Sequence, residues 1–116
     1  MGNKQEAIDA LFKIIDDESQ ESFYLKTLAI ANLTTFLFYE ERFQEIISLE
    51  DTLNQIRKVG YKEQLINSHY YLGVSHFYSG NNIESLFYLK LSLQDTNCRQ
   101  TPVSYTHLTL PTINWV

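Results

Sequence analysis

The chain has 116 residues, a formal net charge of −5 and a composition that is 44% hydrophobic and 14% aromatic, with four glycines and two prolines. These values fit one small packed domain or a piece of a larger protein, and they argue against disorder. The acidic balance, spread along the chain, excludes the basic footprint of a nucleic-acid-binding domain, so no direct nucleic-acid contact is expected. No apolar run approaches the roughly 20 residues of a membrane span, and the start MGNKQEAIDA lacks the apolar core of a secretion signal. Cys98 is the sole cysteine, so a reduced, cytoplasmic setting is expected, with its thiol buried or incidental rather than nucleophilic.

The predicted elements are all helical. GNKQEAIDALFKII opens on Gly2 as a turn and sets Ala7, Ile8, Leu11, Ile14 and Ile15 on one face. Asp16-Asp17-Glu18-Ser19-Gln20 breaks that pattern and reads as a solvated connection. A second helix is predicted from about Glu21 to Tyr39 with Leu25, Leu28, Leu33, Phe36 and Leu37 among its apolar positions. After a short turn at Glu40 and Glu41, a single third helix is predicted from about Arg42 to Lys58, with Phe43, Ile46, Leu49, Leu53 and Ile56 at steps of three and four; Gly60 stops it. A fourth helix from Tyr61 to Ser79 carries His69, Leu72, Gly73, His76 and Phe77 on one face, with Gly73 allowing close approach of a neighbour. Gly80-Asn81-Asn82 ends it, the Asn side chains being able to cap the next helix, and this fifth helix shows Ile83, Leu86, Leu89 and Leu93 as its stripe.

Three turn-and-helix segments stack without gaps at a period of 39 residues: GNKQEAID from Gly2, ERFQEIIS from Glu41 and GNNIESLF from Gly80. Glu6, Glu45 and Glu84 then coincide, as do Ile8, Ile47 and Leu86, while Leu33 meets Leu72, Phe38 meets Phe77 and Tyr39 meets Tyr78. The middle copy departs from the pattern twice: Thr34 stands at the position of Gly73, and Glu50 where Leu11 and Leu89 are apolar. The Leu72-Gly73 pair, the aromatic cluster, the Gly80 turn and the apolar helix after it, with small Ser85 and Ser92, resemble a tetratricopeptide repeat. That resemblance implies an all-α helical-repeat solenoid, here a fragment of about five helices over residues 1–101. It also implies that the chain begins in mid-repeat, that a longer protein surrounds it, and that exposed repeat ends could self-associate.

Residues 102–116 differ in character, holding both prolines and the only tryptophan but no Asp, Glu, Lys or Arg. The run PVSYTHLTLPT resembles the translation of a transposase-type sequencing adapter, so this tail is read as non-native and left out of the fold, although its Val, Tyr, Thr and Leu would suit a strand.

Few residues suggest chemistry. His69 and His76 lie two helical turns apart, about 10 Å, too far to share a metal without other ligands, and fall on packing positions. Glu6, Glu45 and Glu84 sit near helix starts, where the dipole favours acids. Asn32-Leu33-Thr34 matches the glycosylation pattern but lies within a packed helix. With no phosphate loop, metal-spaced cluster or nucleophile–base pair, neither enzymatic activity nor a cofactor is expected. In tetratricopeptide proteins the first helix of each repeat lines a groove, which implies a peptide or protein ligand held by Asn32, Thr35, Asn67, Tyr70, Tyr71 and Val74; Phe38 and Phe77 are assigned to the core. The absence of Lys and Arg from those positions speaks against a clamp for acidic C-termini. The long period and the Asn and Tyr content are similar to the peptide-sensing repeat domains of Gram-positive quorum-sensing regulators of the Rap, PlcR and PrgX types, some of which regulate transcription. A general scaffold or chaperone-adaptor repeat protein is the alternative.

Overall fold

The computed structural model describes residues 3–17 and 22–99, with side chains as far as residue 97. The Gly2 turn, most of the connection after Asp17, the Cys98 side chain and the 102–116 tail lie outside the described residues. Six α-helices follow one another: α1 (Asn3–Asp16), α2 (Phe23–Tyr39), α3 (Phe43–Ile47), α4 (Glu50–Val59), α5 (Ile66–Tyr78) and α6 (Asn82–Arg99), with one 3-10 turn, Glu63–Leu65, leading into α5. No strand occurs among the described residues, and no described helix is long and apolar enough to cross a membrane.

The helix ends reflect local chemistry. Ser22 caps α2, its hydroxyl accepting from the Leu25 N–H at 3.2 Å. Gly60 ends α4 at φ 122°, and the turn after α5 places Gly80 at φ 84°. Glu41, 39 residues before Gly80, takes the same left-handed conformation at φ 56°, where a side chain costs about 1–2 kcal/mol that glycine avoids. Glu6, Glu45 and Glu84 each lie in the first turn of a helix. Asn81 does not cap forward as expected: its side-chain amide donates back to His76 Nδ1 at 3.0 Å.

The third helix is two helices, which brings the total among the described residues to six. At Ser48 and Leu49 the ladder tightens, with Leu49 N–H bonding the Ile46 carbonyl at 3.0 Å, and the Ser48 hydroxyl takes the Glu45 carbonyl. Such local bonds compete with a regular helix, which apolar spacing alone cannot register. The break starts α4 at Glu50, whose side chain turns toward α5 and α6.

α1 lies against α2, α6 against α5, α2 and α5 lie side by side, and α3 touches both of them. Between α2 and α5 the buried Thr34 and Ser68 hydroxyls share a 2.7 Å hydrogen bond. Ala29, Leu33 and Leu37 of α2 are buried, and so are Ser68, Leu72 and His76 at the same register of α5. Ile30, Ile46, Leu53, Ile56 and Leu65 complete the centre of the core.

Two core assignments need correction. Phe38 is half-buried and packs on the core, but Phe77 is 59% exposed. The rings that cover Phe38 come from α3 and α5, and no described element lies over Phe77 in the same way. On α6 the apolar stripe is only partly the packed one: Leu89 is half-buried against Gly73, but Ile83, Leu86 and Leu93 are exposed, whereas Ser85, Tyr88, Ser92 and Asp95 are buried against the rest of the fold. Small and polar residues occupy that face because α5 approaches closely. A Cβ on Gly73 would sit 2.9 Å from Leu89 Cγ and Cδ2, and the Ser92 hydroxyl bonds the Ile66 carbonyl at 3.0 Å.

Candidate functional site

Asn67, Tyr70, Tyr71 and Val74 keep the i, i+3, i+4, i+7 spacing of one helical face, and Asn32 and Thr35 stand 39 residues before Tyr71 and Val74 on α2. None of the six is buried. Asn32 and Asn67 are exposed, while Thr35, Tyr70, Tyr71 and Val74 are half-buried. The Asn32 amide donates one N–H to the Leu28 carbonyl at 3.0 Å, and Thr35 gives its hydroxyl proton to the Ala31 carbonyl at 2.9 Å. Asn32 keeps its second N–H and its oxygen for another partner.

Phe38 joins the two helices. Its ring stacks on Tyr71 at 4.4 Å between centroids and 22° between planes, and lies 6.4 Å from Tyr70. Tyr70 and Tyr71 meet edge to face at 6.0 Å. Tyr71 is thereby partly a core residue, packed against the buried cluster, which spacing alone did not indicate. The two helices bring little charge: α5 has no Asp, Glu, Lys or Arg, and α2 has Lys26 alone.

A second arrangement, on the α4 side of α5 and α6, has no counterpart among the sequence expectations. The Tyr88 ring lies between two imidazoles, 5.7 Å from His76 with planes 7° apart and 5.9 Å from His69. Its hydroxyl donates to Glu50 Oε2 and accepts from the Asn54 amide at 3.0 Å. His76 accepts from Asn81 at Nδ1, so its proton sits on Nε2 and goes to Glu50 Oε1 at 3.1 Å. His69 donates from Nδ1 to the Leu65 carbonyl at 3.0 Å, leaving Nε2 buried without a partner. Nearby, Arg57 grips the buried Asp95 carboxylate with a two-point fork at 2.7 and 3.1 Å.

Burial, reinforced by the Glu50 contact, pushes the Tyr88 hydroxyl up to about 12. Burial likewise pulls His69 below its ordinary 6.5, outweighing the bond to Leu65, and Arg57 adds to the depression while Asp95 opposes it. Both shifts favour neutral, packed groups that fix how α4, α5 and α6 meet. The two histidines are core residues, as their spacing implied. The one available signal was Glu50, an acid at an apolar register. Among the described residues no three His, Cys, Asp or Glu side chains are placed to hold a metal ion.

No protein-family model matches this chain, and no curated protein or solved structure is similar enough to count as a match.

Proposed function

We propose that this chain is part of a tetratricopeptide-like helical-repeat solenoid that binds an extended peptide or protein segment along the face of α2 and α5. The observation that carries the reading is that face itself, where amides and tyrosines stand accessible on two adjacent, almost uncharged helices. An Asn amide pairs with a peptide group through donor and acceptor together, and Tyr supplies broad contact area at low entropic cost. The recurrence of buried positions at 39 residues in α2 and α5 supports the repeat, because the same three positions are turned inward in both copies. A role as the peptide-sensing part of a cytoplasmic transcriptional regulator is the most specific form of this reading.

The test is selection from a random peptide library on the intact chain, with affinity then measured on Asn32→Ala, Asn67→Ala and Tyr71→Phe. Tyr71→Phe keeps the ring on Phe38 and removes only the hydroxyl. Each Asn that pairs with a desolvated peptide group should cost about 1–3 kcal/mol, or about fivefold to a hundredfold in affinity. Binding should vary little with salt. A selected peptide whose affinity is unchanged in all three variants would remove this face as the site.

A further inference from the structure

The outward side of α6 repeats a seat that is occupied elsewhere in the same molecule. Leu86 and Leu93 stand 78 residues, two repeat periods, after Ile8 and Ile15. Ile8 and Ile15 are 1% and 6% exposed, on the helix that packs against α2. Leu86 and Leu93 are 55% and 44% exposed, and Ile83 is 83% exposed. With on the order of 200 Å² per large side chain, these three present roughly 350 Å² of apolar surface. That lies within the roughly 300–600 Å² expected for the largest patch of a monomer, and falls well short of the roughly 800 Å² each partner contributes to a stable dimer. The area suits one helix better than a whole second copy.

The molecule also shows what kind of helix. α2 and α5 bury the same ridge, a small residue, then Leu, then Leu or His at steps of four: Ala29-Leu33-Leu37 and Ser68-Leu72-His76. We propose that the Leu86–Leu93 face of α6 is a docking seat for an amphipathic α-helix carrying a small–x3–Leu–x3–Leu/His ridge. The small residue lets the backbones approach and the two larger ones fill the spaces between Leu86 and Leu93.

The test uses the full chain and a labelled synthetic peptide of the α2 sequence, residues 22–40, with the exposed Tyr24 and Phe36 replaced by Glu for solubility. Fluorescence anisotropy should show saturable binding. Leu86→Glu with Leu93→Glu should weaken it at least tenfold, Ile83→Lys should weaken it less, and a peptide carrying Leu33→Asp and Leu37→Asp should not bind. Because the substituted positions are exposed, the variants should keep the wild-type circular dichroism and melting temperature. Absence of saturable binding, or binding that the α6 variants leave unchanged, overturns the proposal. So does a dimer of the chain alone that the α6 variants abolish and the peptide does not compete away, since the occupant is then a second copy.

Discussion

Gly73→Ala sets two measurable effects against each other. In an exposed helix the change would gain about 1 kcal/mol from helix propensity. Here the new methyl would lie 2.9 Å from both Leu89 Cγ and Cδ2 and 3.1 Å from the Leu89 backbone nitrogen. The side-chain end can rotate, but the backbone nitrogen cannot move without shifting α6. Overpacking of this kind costs about 1–3 kcal/mol, and contact with backbone belongs in the upper part of that range. The net expectation is a destabilisation of about 1–2 kcal/mol, read from the urea midpoint at unchanged slope. A Leu89→Ala background removes Cγ and Cδ2 while leaving the nitrogen, so Gly73→Ala should cost less there, with a coupling of about 0.5–1 kcal/mol in the double-mutant cycle. If Gly73→Ala raises stability by the full propensity gain, the α5–α6 crossing is looser than described and the reasoning fails.

Glu41→Gly should stabilise by about 0.5–1 kcal/mol, because relief of the left-handed strain exceeds the added freedom of the unfolded chain; a loss of stability would mean that Glu41 makes a compensating contact. His69 is held below its unfolded value of about 6.5, so at acid pH the unfolded chain binds a proton that the folded chain resists. Its contribution is therefore present above pH 6.5 and lost as pH falls toward the folded value, with a slope of at most about 1.4 kcal/mol per pH unit. Denaturation at pH 7.5 and 5.5 should show this difference shrinking in His69→Gln, and an identical pH dependence in the variant would contradict it.

Much of the fold was legible because apolar periodicity and turn glycines report on local geometry. Gly60 and Gly80 marked helix ends, the histidines' spacing placed them in the core, and Gly73 signalled a close crossing. What periodicity could not report is which of two apolar faces finds a neighbour. Leu86 and Ser85 are adjacent in sequence, and only packing decides that Ser85 is buried and Leu86 exposed. The break at Ser48 goes with a tightened backbone bond and one hydroxyl bond, and the Tyr88 network joins three helices, so neither leaves a periodic trace. The six groove residues were legible as a face, but the anchoring of Tyr71 on Phe38 was not, because a ring stack between helices depends on their crossing.

Thr34 and Glu50, the two departures from the 39-residue register, stand at positions whose counterparts touch. Gly73 and Leu89 touch in the α5–α6 pair, and Thr34 and Glu50 occupy the same two registers one period earlier. A larger residue in place of the glycine goes with an acid that turns aside to accept from Tyr88 and His76. Glu50→Leu, which a repeat consensus would favour, should therefore destabilise. It leaves the buried His76 Nε2–H and the Tyr88 hydroxyl without their acceptor, at about 1–3 kcal/mol each. Part of this is offset by apolar burial, about 1.5–3 kcal/mol for a fully buried leucine and less here because Glu50 is 29% exposed. The expected net loss is about 1–2 kcal/mol by urea denaturation. A Glu50→Leu variant as stable as the parent would show that the acid is merely tolerated, and the network would lose its role in holding α4 to α5 and α6.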